Sequence, residues 1–168
     1  WNWNRPLIGF EEDGRPHLRI EHRPMSASPS MADLLADQLL YLGLAHSLAT
    51  LPDAPERSLP FERARDNFYA AARDGLQASV RWIDGQMYRL SDLLASRLDA
   101  VCSALHELRV DADAIDHACE IIRGRLETGQ NGSTWQLREF AEFNGDAQRL
   151  LLAYIDAQAV GSPVHTWT

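Results

Sequence analysis

The alternation of apolar and polar positions predicts two strands at the start of the chain. Over residues 17–24, apolar and polar side chains follow the two-residue period of a strand, with Leu18 and Ile20 on one face. We expect this apolar face to lie on a core. Residues 1–10 form a similar segment, and the Asp13-Gly14 pair between the two segments is a strong hairpin signal.

Beyond the hairpin, apolar residues recur at the three- and four-residue spacing of amphipathic helices. The spacing predicts six helices, over residues 31–50, 61–74, 92–108, 113–126, 134–142 and 146–160. A second, short hairpin is expected over residues 78–90, around an Asp-Gly pair. The pattern therefore predicts a single α+β domain over residues 1–168 that is predominantly helical, with two short antiparallel hairpins.

Several boundaries are predicted by capping residues. Ser30 and Ser91 are the expected N-caps of the first and third helices, and Gly129 is the expected C-cap of the fourth. The tail from Gly161 is expected to be irregular.

Composition narrows the possible partners and the location. The 168 residues are 45% hydrophobic and 24% charged, and the net charge of -8 argues against a nucleic-acid partner. No apolar run approaches the roughly 18 residues of a membrane span, so no membrane partner is expected. Cys102 and Cys119 fall inside helical patterns, where we expect core positions without a disulfide, as in a cytoplasmic protein.

The first hairpin is expected to belong to a larger sheet, because the sequence predicts few further strands that could pair with it. A two-stranded hairpin is marginally stable alone in water. We therefore expect the upstream part of the same protein, or another chain, to complete the sheet over residues 1–24. The start at Trp1, without an initiator Met, agrees with a piece of a longer protein.

The second strand carries the candidate chemistry. Arg19, Glu21 and Arg23 share one face, and neighbours on a face lie roughly 7 Å apart, so one anionic ligand with its metal could contact all three. The alternative is a ladder of surface salt bridges, which contributes little stability.

Four segments in order resemble the C-terminal part of the glutamate–cysteine ligase-like carboxylate–amine ligases. They are Trp3–Phe10, Leu18–Arg23, Ala64–Leu76 and Thr128–Gln136. The resemblance implies a fragment of a glutamine synthetase-like fold, in which an antiparallel sheet holds ATP, Mg²⁺ and amino-acid-like substrates. It also implies the reaction: a carboxylate is phosphorylated, and an amine then attacks the acyl phosphate.

The resemblance assigns roles to individual residues. Glu21 would be a magnesium ligand, and Arg23 a catalytic contact for the transferred phosphate. Arg19 has no specific match in the family pattern, but it shares the face of Glu21 and Arg23, and we expect it to contact phosphate or a substrate carboxylate. Within the Thr128–Ser133 loop, Thr128, Gly129 and Asn131 would contact the nucleotide, although the loop also suits a plain helix–helix turn.

Departures from the family pattern affect the substrate and the activity. Ser26 stands where many relatives have Asp, and Asn131 and Ser133 replace Thr and Ala, so the substrates need not be glutamate and cysteine. Most metal-binding carboxylates of the family lie upstream, so we expect no ligase activity from this chain alone. The alternative function is a non-catalytic helical module that binds a partner or forms a homo-oligomer.

Overall fold

The computed structural model describes residues 3–25 and 27–168. Its first element is an antiparallel hairpin of β1 (Asn4–Phe10) and β2 (Pro16–His22), with Ile8 opposite Leu18. The prediction for residues 1 and 2, and the departure at residue 26, lie outside the described residues.

The helices follow the predicted order closely. They are α1 (Met31–Ala49), α2 (Phe61–Asp74), α3 (Leu90–Glu107), α4 (Ala112–Thr128), α5 (Gly132–Glu142) and α6 (Ala147–Val160). A second antiparallel hairpin, β3 (Ser79–Arg81) and β4 (Met87–Arg89), lies between α2 and α3. The predicted α+β, predominantly helical fold is confirmed. No helix within residues 3–25 and 27–168 has both the length and the apolar character that crossing a membrane requires.

The main core lies between α1, α3 and α4. Its buried side chains include Ala36, Leu105 and Ile115, one from each helix. Gly43 lets α1 approach α3 closely, because a Cβ at this position would lie 2.8 Å from the backbone oxygen of Val101. Small residues at this contact therefore set the distance between the two helices.

Two smaller clusters extend the core. One joins the second hairpin to the start of α3 through Ala78, Val80 and Leu93. The other packs Trp135 of α5 against Val164 and Trp167 near the end of the chain. The tail was therefore predicted wrongly: residues 164–166 form a 3-10 turn whose apolar side chains complete this cluster.

A buried ion pair connects α1, α4 and the C-terminal turn. Asp33 is completely buried and accepts hydrogen bonds from Arg125 at 2.6 Å, from the Ser30 hydroxyl at 2.8 Å and from the Val164 N–H at 3.0 Å. Ser30 also accepts from the Asp33 N–H and is the predicted N-cap of α1. These polar contacts hold three distant segments in one arrangement.

The expectation that the apolar face of the first hairpin lies on a core is wrong for the described chain. Leu18 is 80% exposed and Ile20 is 61% exposed, and Ile8 and Phe10 on β1 are exposed as well. The alternation identified the faces correctly, but no described element covers the apolar one. We call Ile8, Phe10, Leu18 and Ile20 the hairpin apolar face.

Two further predictions need correction. Cys102 and Cys119 form a disulfide between α3 and α4, because the inward faces of these helices bring the partly buried Cys102 next to the buried Cys119. Ser91 does not cap α3: the helix begins at Leu90, and its N-cap, Arg89, forms no side-chain capping bond. The Leu90 N–H instead donates to the Ala78 carbonyl.

Candidate functional site

The candidate site lies on the polar face of the first hairpin and is centred on Glu21. The strand register places Arg5 directly opposite Glu21, and the Arg5 Nε lies 2.8 Å from the Glu21 Oε2. Arg23 lies on the same side, with its Nε 3.9 Å from the same oxygen. The three side chains keep 49%, 40% and 30% of their surface exposed, in the order Arg5, Glu21, Arg23. The group is therefore open to solvent.

Two aromatic contacts attach this hairpin to the helices. The Trp3 ring stacks on Phe68 of α2 with a centroid distance of 4.2 Å. The His22 ring stacks on Tyr41 of α1 at 3.6 Å, and its Nδ1 lies 2.7 Å from the Asn4 Oδ1. Burial lowers the pKa of His22, which favours the neutral ring in this contact. His22 lies between Glu21 and Arg23 in sequence, and the Arg23 N–H donates to the Trp3 carbonyl, so these two anchors fix the position of the site.

The charge of the site favours an anionic ligand. Arg5 and Arg23 outweigh Glu21, so the three side chains carry a net charge of +1. A bare Mg²⁺ ion would meet two guanidinium groups beside its carboxylate. A magnesium ion already bound to phosphate oxygens fits better, because the arginines then face phosphate while the carboxylate faces the metal.

The remaining predicted residue of β2 is Arg19. It lies opposite Leu7 on the same face as Glu21 and is exposed. His17 follows on that face, with its ring against Gly9 and its Nδ1 3.0 Å from the Glu11 Oε1. The face thus brings Arg19, Glu21 and Arg23 together, as the alternation predicted, with His17 beside Arg19.

The Thr128–Ser133 loop joins α4 to α5, and local bonds occupy its side chains. The Thr128 hydroxyl donates to the Gly124 carbonyl and accepts from the Gln130 N–H. Gly129 is the left-handed C-cap of α4, as predicted, with φ of 66°. Asn131 caps α5 and forms a reciprocal capping box with Thr134. This geometry agrees with the helix–helix turn, because local bonds engage the Thr128 hydroxyl and both the side chain and the N–H of Asn131.

A cleft of about 590 Å³ opens beside this loop. Thr128 and Gly129 line its edge, and α3 and α4 contribute most of its walls. Its charged side chains are of both signs, and they include Arg89, Asp99, Arg123 and Glu127. Asn131, Glu21 and Arg23 are not among the lining residues, so the predicted site residues are divided between the hairpin face and this cleft.

Sequence reasoning missed Arg5, Arg89 and Arg123. Arg5 could have been found from the hairpin register, because the Asp13-Gly14 turn places it opposite Glu21. Neither cleft arginine has a local motif that would identify it. Within the described residues, no group of three or more His, Cys, Asp or Glu side chains is arranged to hold a metal ion. Glu21 would therefore be one metal ligand among others from elsewhere.

The chain matches no protein-family model, no curated protein and no solved structure. The functional argument therefore depends on the residues of this chain and on the sequence resemblance described above.

Proposed function

We propose that this chain is the C-terminal part of an ATP- and Mg²⁺-dependent carboxylate–amine ligase. The observation that supports the proposal best is the placement of Glu21 between Arg5 and Arg23 on an exposed strand face. A phosphate-bound metal requires this combination of a hard oxygen ligand and nearby guanidinium groups.

Each side chain has a role in this proposal. Glu21 would hold the magnesium that accompanies the nucleotide, and the chemistry supplied there would be neutralisation of charge on the phosphate oxygens. Arg23 neutralises negative charge on the phosphoryl group as it moves to the substrate carboxylate. Arg5 holds Glu21 in place, and Arg19 contacts phosphate or the substrate carboxylate. Thr128, Gly129 and Asn131 contact the nucleotide in this proposal. Binding then requires local bonds to open, because the Thr128 hydroxyl and both the side chain and the N–H of Asn131 are already engaged.

The rest of the active site comes from outside this chain. The hairpin apolar face needs a cover, and both strand edges of this two-stranded sheet can accept a neighbouring strand. An upstream segment that completes the sheet would supply a cover for the hairpin apolar face and a strand for the open edges. It would also supply the other metal ligands. The amino-acid-like acid and amine would then bind beside the phosphate. We therefore expect the 168 residues alone to be inactive.

The test compares the complete gene product with this chain. ATP turnover is measured with pairs of amino acids, and we expect activity only from the complete protein. Glu21→Ala and Arg23→Ala should each lower turnover by about 100-fold or more. Arg15→Ala is the matched control, because Arg15 lies in the same hairpin and pairs with the neighbouring Asp13. Turnover by the 168-residue chain would contradict the proposal that part of the active site comes from outside this chain. Unchanged turnover in both variants would contradict the ligase assignment.

The second candidate is a non-catalytic interaction module. The hairpin apolar face favours it, because a contiguous exposed apolar surface commonly marks a binding site. The two candidates differ in calorimetric titrations of the complete gene product with Mg-ATP. The ligase should bind Mg-ATP and lose that binding in Glu21→Ala, whereas the interaction module should not bind it.

A further inference from the structure

Helix α6 carries apolar side chains on two opposite sides. On the inner side, Leu150 and Tyr154 pack against the cluster formed by Trp135, Val164 and Trp167. On the outer side, three large aliphatic side chains are exposed to solvent. They are Leu151, Leu152 and Ile155, with exposed fractions of 58%, 55% and 49%. The outer side is therefore as apolar as the side that builds the core.

These side chains belong to one continuous stripe. At 3.6 residues per turn they share a face with one polar and one small residue, and the full stripe is Gln148, Leu151, Leu152, Ile155 and Ala159. We call these five residues the α6 stripe. It contains no charged residue and no described element covers it. Such a surface is typical of a helix that pairs with another helix.

Two opposite charges flank the α6 stripe on the same edge. Arg149 lies in the first turn of α6, and Asp156 lies seven residues later, so both project from one side of the stripe. No ion pair within the described chain involves either side chain. The Arg149 guanidinium lies 4.7 Å from the centroid of the Phe143 ring and keeps its charge available.

We propose that α6 binds the same helix of a second copy of this chain, antiparallel and about a twofold axis. An axis that passes between Leu152 and Ala153 places Arg149 of each copy opposite Asp156 of the other. The same alignment sets Ile155 of one copy between residues 148, 151 and 152 of the other.

Charge decides the orientation and the partner. In a parallel pair about a twofold axis, the charged edges of the two copies lie on opposite sides of the interface and do not meet, whereas the antiparallel pair brings them together and forms two ion pairs. A stripe without charge, with one cation and one anion placed symmetrically beside it, is complementary to itself. One 14-residue helix buries less than the roughly 800 Å² per partner of a standard interface, so we expect a dissociation constant in the micromolar range.

Sedimentation equilibrium of the chain from about 1 µM to about 1 mM measures the association. The unchanged chain should form a dimer, and Ile155→Asp should remain monomeric. Arg149→Asp and Asp156→Arg should each weaken association by at least about 10-fold, since each creates two like-charge contacts. An equimolar mixture of these two variants should recover the dimer, because a mixed pair has opposite charges at both contacts.

The control is Asp116→Arg, which makes the same charge change at an exposed position on α4. It should associate like the unchanged chain, and circular dichroism should show the same helical content in all variants. A monomer at every concentration would overturn the proposal. So would equal weakening by Asp116→Arg, or no recovery in the mixture. This proposal depends on neither candidate function, because those are tested by nucleotide turnover and binding.

Discussion

Arg125 donates to Asp33 across 92 residues of sequence, at 2.6 Å, and both side chains are buried. Burial opposes the charge of Arg125, but the carboxylates of Asp37 and Asp33 outweigh this effect and raise its pKa. Asp33 also accepts from Ser30 and from the Val164 N–H, and Arg125 also donates to Asp37, while the Arg125 Nε is buried without a partner among the described residues. The pair therefore specifies how α1, α4 and the C-terminal turn meet.

Replacing Asp33 should lower the free energy of unfolding. Asp33→Ala leaves a buried guanidinium with one carboxylate fewer, and we expect a loss of about 3–5 kcal/mol in the free energy of unfolding. Asp37→Ala is the matched control: Asp37 binds the same Arg125 at 2.6 Å, but its side chain is 34% exposed. Its loss should be about 1 kcal/mol. Urea denaturation measures both values, and equal losses would contradict a special role for the buried carboxylate.

Reduction of the Cys102–Cys119 disulfide should destabilise the protein. The bond links positions 17 residues apart, and a loop of this size restricts the unfolded chain by about 3 kcal/mol. The variant with Ser at both positions should show a similar loss in urea denaturation, with no further effect of reductant. Thiol titration of the unfolded protein supplies the control: two free thiols before reduction would show that the bond is absent.

Acid should loosen the first hairpin from α1. Burial lowers the pKa of His22 in the folded state, so the unfolded chain binds the proton more readily. The contribution of His22 is therefore complete above its unfolded pKa of about 6.5, and it is lost as the pH falls through the lower folded value. The protection factors of the β2 amides, which correct for the intrinsic pH dependence of hydrogen exchange, should decrease over this range, and His22→Phe, which keeps the stack on Tyr41, should remove the decrease. Unchanged pH dependence in this variant would refute the assignment to His22.

Adding one methyl group at Gly43 should destabilise the core. Alanine favours helices, but its Cβ would lie 2.7 Å from the Val101 Cγ1 and 2.8 Å from the Val101 oxygen. Because one of these neighbours is backbone, α1 and α3 must move apart, and we expect Gly43→Ala to lose about 1–3 kcal/mol. Thermal denaturation measures the change. Ala45→Gly at an exposed position of the same helix should cost only about 1 kcal/mol, and a stabilised Gly43→Ala would disprove the close approach.

The sequence predicted local structure well because the local signals agreed with one another. The Ser30 cap and the Gly129 C-cap are present as expected, and the six helices occur close to the predicted positions. The prediction that Ser91 caps α3 was wrong because residues 87–89 form a strand that leads directly into α3. The backbone bond from Leu90 to Ala78 then joins the helix start to the hairpin.

Long-range contacts were harder to predict. Nothing near Asp33 or Arg125 in sequence indicates that these two side chains meet. The sequence of the tail from Gly161 likewise does not indicate that Val164 and Trp167 are buried. The two cysteines were assigned correctly to inward helix faces, but the facing of α3 and α4 decides that they form a bond. For the candidate site, alternation placed Glu21 and Arg23 on one face, whereas Arg5 required the strand register.

The hydrogen bond from the Val164 N–H to Asp33 spans 131 residues and has a consequence for protein synthesis. While the ribosome is still translating α5 and α6, the nascent α1 carries a carboxylate that lacks one of its final donors. Trp135 likewise becomes buried only when Val164 and Trp167 pack against it. This part of the core therefore closes only after residue 167 has emerged, and until then chaperones and proteases meet an incomplete surface around Asp33 and Trp135.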